Sequence, residues 1–218
     1  MILLAIDTAT ECCSAALWVD GKMYHEHTIQ PRLHAELILP MVDSLLVQAK
    51  IKKTEIKGIV VGQGPGAFTG VRIGVGVAQG LALALDIPVM PVSNLKTLAY
   101  CAYQKIDSAE KKTILVATDA RMQEVYSAKY LIHGSIIEQL TDEKVSKPSE
   151  VDLNNIDAYI GSGFSVYSEL QNFAGKHSMN FETNVFSQAK DMLLMSADDF
   201  VIKSEKIDFI EPVYLREP

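Results

Sequence analysis

The chain begins with "ILLAIDTATECCSAALWVDG" (residues 2–21), in which an apolar strand ends at Asp7 and a short polar turn leads into a second apolar strand. The pattern returns as "ILVATDARMQEVYSAKYLIHG" (residues 114–134), with Asp119 in the place of Asp7 and a glycine again closing the segment. The later segment "AYIGSGF" (158–164) echoes the strand and glycine loop "IVVGQGPG" that follow the first copy. This repeated order favours a duplicated unit with an eroded second copy over a chance similarity of apolar strands.

Between the two copies, strands and helices alternate. A turn signal at Asp20-Gly21 leads into a third strand, so the chain starts with an antiparallel meander. Helices are then indicated by apolar residues at three- and four-residue spacing, and the intervening strands are short. The expected elements are a strand at 22–29, a helix at 32–49 with a kink at Pro40, a strand and glycine-proline loop at 56–66, a helix at 69–85, a strand at 88–92 and a helix at 94–105.

These elements predict an α/β protein of two related lobes. Residues 1–106 would form an N-terminal βββαβαβα lobe, and residues 107–218 a smaller, reduced second lobe whose C-terminal helix packs back on the first. The polar stretch "QKIDSAEKKT" (104–113) marks the expected boundary.

Composition excludes several classes of protein. With 48% apolar and 22% charged residues among 218, the chain can bury a core, and its net charge of -7 provides no broad cationic surface for nucleic acid. Cys12, Cys13 and Cys101 lack C-x-x-C spacing, which is typical of reduced thiols in a cytoplasmic protein. We expect neither a secretory signal nor a membrane span, since the longest apolar run is short and contains Gln79.

The polar turn after Asp7 has two interpretations. Its backbone N–H groups and the hydroxyls of Thr8, Thr10 and Ser14 could bind a phosphate, with Asp7 holding a hydrated cation. Two such hairpins, at Asp7 and Asp119, form the nucleotide site of the actin-like ATPase fold. The alternative is a polar hairpin whose hydroxyls cap its own turn, and the residues alone favour neither reading.

The glycine-rich segment "GQGPGAFTGVRIGVGVAQG" (62–80) does not match a known phosphate loop. A Walker A loop requires a lysine, and none occurs between Lys57 and Lys96. A dinucleotide fingerprint is met only by Gly62, Gly64 and Ala67, and it follows an antiparallel unit. The glycines therefore indicate a role in structure or in protein contacts, and not in binding a phosphate.

The helix expected at 69–85 carries most of these glycines, and their spacing indicates what they do. Gly74, Ala78 and Ala82 form one row of small residues, and Gly76, Gly80 and Ala84 form another. Each glycine in a helix costs up to about 1 kcal/mol relative to alanine. Part of this apolar surface can be covered by the preceding helix within the domain. We expect that both helices also present an apolar patch to another protein.

The segments "AIDTATECCSAAL" (5–17), "GQGPGAFTGVRIGVGVAQGLALAL" (62–85) and "PVYLREP" (212–218) resemble the bacterial TsaB (YeaZ) family over nearly the whole chain. The resemblance implies an actin-like ATPase fold of the ASKHA, ribonuclease H-like type. It also implies a non-catalytic scaffold that acts with TsaD and the ATPase TsaE to form the threonylcarbamoyl group on adenosine, next to the anticodon of tRNAs that read ANN codons.

The same resemblance implies particular partners and site residues. TsaD would bind through the N-terminal helices, the isolated chain would form a homodimer through the same surface, and tRNA would be contacted only indirectly. Asp7, Thr8, Thr10 and Asp119 would be a vestigial nucleotide site, with no catalytic residue, metal or cofactor. The residues expected on the partner-binding surface are His34, Leu37, Ile38, Met41, Leu45, Arg72, Val75, Gly76, Gln79, Gly80 and Leu83.

Two enzymatic alternatives remain. A small actin-fold phosphotransferase would use Asp7 and Asp119 to hold Mg-ATP. A metallopeptidase-like protein would require metal ligands, but Asn94 and Leu98 stand where the TsaD family has its H-x-x-x-H pair. His25 and His27 share one strand face and could supply only two ligands, so a solvated sheet face is the better interpretation.

Overall fold

A computed structural model describes residues 1–105, 110–133, 136–175, 185–196, 200 and 210–216. The chain divides into two compact units. The first contains residues 1–94 and 187–213, and the second contains residues 95–186 and 214–218.

The first unit is built on a five-stranded sheet with the order β3-β2-β1-β4-β5. Strands β1, β2 and β3 form the antiparallel meander, while β4 and β5 run parallel to β1. The buried central strands are continuous apolar runs, as expected for a sheet covered on both faces. The strands are β1 (Ile2–Asp7), β2 (Cys12–Val19), β3 (Lys22–Ile29), β4 (Gly58–Gly62) and β5 (Val89–Val92).

Helices cover both faces of this sheet. Alternate residues of a strand point to opposite faces, so Leu4 and Ile6 pack in one core and Leu3 and Ala5 in another. The first core is closed by α1 (His34–Ala49) and α2 (Phe68–Leu85), and the second by α6 (Ala189–Ser196). Both α1 and α2 end at a residue in the left-handed conformation, Lys50 and Asp86.

The second unit has its own five-stranded sheet, with the order β10-β6-β7-β8 and β9 paired to β7. The side chains of Leu95 and Leu98 lie in its core with those of Ile114 and Ile160. The strands are β6 (Lys112–Asp119), β7 (Val125–His133), β8 (Ile136–Gln139), β9 (Lys144–Ser146) and β10 (Ala158–Ile160), and the helices are α3 (Asn94–Tyr103), α4 (Gly163–Val166) and α5 (Ser168–Ala174).

The two sheets repeat one topology. The order β10-β6-β7-β8 matches β4-β1-β2-β3, with antiparallel neighbours along the meander and a parallel fourth strand in both sheets. The second copy lacks a counterpart of β5 among the described residues. This arrangement confirms the predicted α/β class and the actin-like, ribonuclease H-like fold of two related lobes with a reduced second lobe.

The division of the chain differs from the boundary expected between residues 106 and 107. That boundary itself lies in 106–109, outside the described residues. From Leu95 onward α3 belongs to the second unit, because its buried residues pack in the second core. The segment 187–213 belongs to the first unit, and its helix α6 packs on β1, β2 and β4.

Helix α2 has an unusual composition for a surface helix. Its 18 residues have a mean hydropathy of 1.5 and are long enough to cross a membrane, but only 33% of them are buried. The buried residues contact the sheet of the first unit, as in the core helix of a globular protein. Ile73, Val77, Leu81 and Leu85 pack partly against the same core, and the exposed side of the helix includes Phe68 and Leu83.

Candidate functional site

The Asp7 carboxylate is enclosed by donors from its own chain. Its side chain is 0% exposed. Oδ1 accepts hydrogen bonds from the Ala9 N–H at 3.0 Å and from Asn94 Nδ2 at 3.0 Å, while Oδ2 accepts from the Ser187 hydroxyl at 2.6 Å and from Asn94 Nδ2 at 3.1 Å. Both oxygens therefore have protein partners, and neither is open to a hydrated cation.

Burial also changes the acidity of Asp7. The pKa of this carboxyl is raised from 3.8 to about 6, chiefly by desolvation and to a smaller extent by the charge of Asp191. The hydrogen bonds from Ser187, Ala9 and Asn94 act in the opposite direction, because they stabilise the charged form. The cluster thus keeps a carboxylate in the interior with neutral donors.

The two threonines of this hairpin are also engaged by the chain. The Thr8 hydroxyl donates to the Gly70 carbonyl at 2.7 Å, and the Thr10 hydroxyl accepts from the Cys12 N–H at 3.2 Å. Thr8 is buried, whereas Thr10 is partly exposed. These contacts favour the second interpretation of the sequence, a polar hairpin whose hydroxyls bond to nearby backbone.

Asp119 occupies the matching position in the second unit and is likewise engaged. Its Oδ1 accepts from the Tyr167 hydroxyl at 2.6 Å, and its Oδ2 pairs with the Arg121 guanidinium at 2.7 Å. Desolvation and the Asp119 carboxylate raise the pKa of Tyr167 to about 12. The following turn is left-handed at three successive residues, with φ of 62° at Arg121, 53° at Met122 and 61° at Gln123.

Cys12 and Cys13 are buried thiols, and His25 and His27 lie side by side on β3. Desolvation raises the pKa of the buried Cys12 thiol to about 12 and that of Cys13 to about 11, so neither is a thiolate at neutral pH. His25 and His27 stack with ring centres 6.5 Å apart. Within the described ranges, no group of three or more His, Cys, Asp or Glu side chains could hold a metal ion.

Several residues expected on the partner-binding surface lie in the core instead. Ile38, Leu45 and Val75 pack in the core of the first unit, and Met41 is nearly as buried. His34 is buried as well, and its Nε2 lies 2.8 Å from the Thr10 carbonyl. These five residues therefore shape the position of α1 and α2 and do not offer surface to a partner.

The exposed part of the expected surface lies along α2. Residues spaced by three or four positions share one side of a helix, and five such residues are exposed here. We call them the α2 outer face: Phe68, Arg72, Gly76, Gly80 and Leu83. Leu83 is 87% exposed, and the Arg72 guanidinium lies 3.5 Å from the centre of the Phe68 ring. Of the other expected residues, Leu37 and Gln79 are half-buried.

The glycines of α2 divide into two groups. A Cβ built on Gly70 would lie 2.1 Å from the Thr8 carbonyl oxygen, and one on Gly74 would lie 2.6 Å from the Thr8 hydroxyl. These two glycines let α2 approach the loop after β1. A Cβ on Gly76 or Gly80 would meet no atom within 4 Å. Nothing within the described part of this chain therefore requires glycine at those two positions.

This division predicts opposite effects of alanine. Gly76→Ala and Gly80→Ala should each stabilise the isolated chain by up to about 1 kcal/mol, since alanine is the better helix former. Gly70→Ala should destabilise it by roughly 1–3 kcal/mol, because the added methyl group overlaps backbone that cannot move freely. Urea unfolding of the three variants measures both effects. Equal destabilisation by all three would contradict the assignment.

The sequence alone missed the partners of Asp7. Asn94 drew attention only as a replaced metal ligand, and Ser187 carried no signal, because contacts across 87 and 180 residues leave no local pattern. Phe68 could have been found, since it stands four residues before Arg72 at the start of an apolar helix.

Comparison with known proteins agrees with this geometry. The family model "TsaD: tRNA N6-adenosine threonylcarbamoyltransferase" matches residues 27–213. The chain is 38% identical to the tRNA threonylcarbamoyladenosine biosynthesis protein TsaB of Escherichia coli (strain K12), over 99% of this chain and 95% of that protein. The TsaB protein of Haemophilus influenzae is 35% identical over 99% of this chain and 94% of its own length.

A solved structure extends the similarity to three dimensions. YeaZ from Pseudomonas aeruginosa superposes with a TM-score of 0.83 at 34% identity, over 98% of this chain and 99% of that one. Sequence and structure agree over nearly full length. The chain therefore belongs to the TsaB (YeaZ) family of tRNA threonylcarbamoyladenosine biosynthesis proteins.

Proposed function

We propose that this chain is a cytoplasmic, non-catalytic subunit that binds a TsaD-type transferase and works with a TsaE-type ATPase. The product of the assembly would be the threonylcarbamoyl group on adenosine next to the anticodon of tRNAs that read ANN codons. Docking would use the α2 outer face, and the isolated chain would pair with a second copy through the same face.

The observation that carries the proposal is the open side of α2. The helix has a mean hydropathy of 1.5; 33% of its 18 residues are buried and further apolar residues pack partly against the core, but Phe68 and Leu83 stay exposed. Gly76 and Gly80 lie on its exposed side with free space around them, although glycine weakens a helix. A partner helix that approaches closely over these glycines would explain both the residue type and the apolar flanks, because small residues allow helix backbones to come near each other.

The state of the two aspartates supports a non-catalytic subunit. The carboxylate oxygens of Asp7 and Asp119 already interact with donors from their own units. Neither carboxylate is therefore arranged to hold Mg-ATP. By the resemblance to the TsaD family, Asn94 and Leu98 would occupy the positions of its histidine pair, and both are buried. An amide and an aliphatic side chain cannot replace two imidazole ligands.

The overall charge supports indirect contact with tRNA. The net charge of -7 leaves this chain with 20 basic side chains against 27 acidic ones. Since most of the affinity of a protein for nucleic acid comes from cations placed near phosphates, the positive surface of the assembly would be supplied by other subunits.

Reconstitution tests the proposal. Purified chain, a TsaD-type partner and a TsaE-type ATPase are mixed with threonylcarbamoyl-adenylate and an ANN-reading tRNA, and modified adenosine is measured by mass spectrometry. We expect product only when this chain is present with both partners, and none from the chain alone. Product formation that is independent of this chain would overturn the proposal.

Calorimetry separates the scaffold from a small actin-fold phosphotransferase. Titration of the isolated chain with Mg-ATP should release no measurable heat, because Asp7 and Asp119 are already occupied by protein donors. The matched control is a titration of Asp7→Asn with Mg-ATP, which should likewise release no measurable heat. Tight binding by the wild-type chain that Asp7→Asn abolishes would favour the phosphotransferase.

A further inference from the structure

We call Asp7 and its hydrogen-bond partners Ala9, Asn94 and Ser187 the Asp7 cluster. This cluster is connected to α2 through the hairpin that follows β1. The Asp7 carboxylate accepts from the Ala9 N–H at 3.0 Å, and the Ala9 carbonyl in turn accepts from the Ala67 N–H at 2.7 Å. Ala67 is the residue immediately before α2. One residue earlier in the hairpin, Thr8 donates to the Gly70 carbonyl in the first turn of the helix.

A second connection runs through Asn94. The Asn94 amide nitrogen donates to both Asp7 oxygens, and its amide oxygen accepts from the Gly64 N–H at 2.8 Å. Gly64 has a φ of +100° and belongs to the loop that carries β4 into α2. Asp7 is therefore linked to the start of α2 from two sides, by Ala9 on one and by Asn94 on the other.

A third connection fixes the cluster from the opposite face of the sheet. The Ser187 hydroxyl donates to Asp7 and accepts from Asn94 Nδ2 at 2.8 Å. Two residues on, the Ala189 N–H at the start of α6 donates to the Ser14 hydroxyl at 2.9 Å. The carboxylate thus joins the hairpin, the glycine loop and the segment before α6, which are far apart in the sequence.

We propose that Asp7 is a positioning residue for the docking surface, and that it acts through Ala9 and Asn94 to hold the first turn of α2 where the α2 outer face can be recognised. The proposal rests on the proposed function. It gives the strand–turn–strand motif of the first copy a use other than nucleotide binding. The aspartate remains at the end of β1, but its partners are the Ala9 N–H and the side chains of Asn94 and Ser187.

The charge of Asp7 makes the connection testable by pH. The ionised carboxylate accepts from all three of its donors, whereas a protonated one presents an O–H on one oxygen, which meets the donor hydrogens of Asn94 Nδ2 or must turn toward the Ser187 hydroxyl, and so loses an acceptor. The titratable groups that interact with it electrostatically are Asp191 from α6 and the Cys12 and Cys13 thiols from β2. Neither thiol ionises near neutral pH, and comparison of wild type with Asp7→Asn isolates the part of the pH response that belongs to Asp7.

Hydrogen exchange of the isolated chain tests the positioning role without any partner. In Asp7→Asn, we expect the amides of Gly64, Ala67 and Val71 to exchange at least tenfold faster, while amides of β6 and β7 keep their wild-type rates. Asp119→Asn is the matched control, since it changes the equivalent aspartate of the second unit, and it should leave the α2 amides within twofold of wild type. Unchanged α2 rates in folded Asp7→Asn would overturn the proposal.

Binding of a purified TsaD-type partner tests the consequence. Wild-type affinity should fall at least tenfold between pH 7.5 and 5. The affinity of Asp7→Asn should be low throughout and should lack this additional pH dependence. The affinity of Asp119→Asn should change with pH as that of wild type does. Ser187→Ala keeps the charge but removes a bond that lowers the pKa of Asp7, so its transition should move to higher pH. If Asp7→Asn fails to fold, the shift of this transition in Ser187→Ala still tests whether Asp7 controls partner binding.

The outcomes separate the two ideas. No binding by wild type at any pH overturns the proposed function, while hydrogen exchange still decides whether Asp7 positions α2. Normal binding with wild-type and Asp7→Asn profiles that coincide overturns the positioning role and leaves the proposed function standing.

Discussion

Replacing Gly76 by arginine should weaken binding to a TsaD-type partner more than a hundredfold and leave the fold intact. A Cβ at this position meets no atom within 4 Å, so the isolated chain can carry the new side chain in solvent. In a close helix–helix contact, the same side chain would prevent approach or bury an unpaired charge. Leaving a buried charge without a partner costs roughly 3–5 kcal/mol, and about 1.4 kcal/mol corresponds to a factor of ten in affinity.

Calorimetry or a pull-down with purified partner measures this effect, and circular dichroism checks the fold. Gly76→Ala isolates the contribution of size, because it adds one methyl group without charge. Glu169→Arg introduces the same side chain at an exposed helical position in the second unit and should bind like wild type. Full affinity of Gly76→Arg would mean that the partner docks on a different surface.

Removal of the Asp7 charge should abolish about 3 kcal/mol of pH dependence in the free energy of unfolding. The pKa of Asp7 is raised from 3.8 to about 6, so the folded chain holds this proton more tightly than the unfolded chain. Its contribution is most favourable below pH 3.8, declines as pH rises toward 6, and is constant above that value. One pKa unit corresponds to 1.36 kcal/mol, which gives roughly 3 kcal/mol for this group.

Urea unfolding of wild type and Asp7→Asn at pH 3 and pH 7.5 measures the difference. Other carboxyl groups cancel in the comparison, including Asp152, whose pKa is lowered to about 2 chiefly by its hydrogen bond from Lys129. Asp119→Asn serves as the control, because it removes the equivalent aspartate of the second unit. Parallel pH profiles for wild type and Asp7→Asn would show that Asp7 does not bind a proton more tightly in the fold.

Much of the architecture could be predicted from the sequence, because it depends on local patterns. Continuous apolar runs gave β1 and β4, and the turn at Asp20-Gly21 placed β3 beside β2. The repeat of an aspartate after an apolar strand anticipated two sheets of one topology. These features are encoded within a few residues of each other.

The surface and the cluster depend on contacts that are distant in the chain, and here the sequence was insufficient. The helical period places Ile38 and Gly76 on apolar sides, but it does not tell which side meets the protein's own sheet. The structure places Ile38 in the core and leaves Gly76 open. Similarly, the residue pattern could not distinguish a phosphate-binding hairpin at Asp7 from one in which Asn94 donates hydrogen bonds to the Asp7 carboxylate.

The open glycines also bear on engineering of this protein. A screen that rewards only heat resistance of the purified subunit should select larger residues at Gly76 and Gly80, since the isolated chain gains helix stability there and meets no obstacle. Each such variant would survive heating better and assemble less well. Selection for thermal tolerance of this subunit therefore needs to be carried out on the assembled complex.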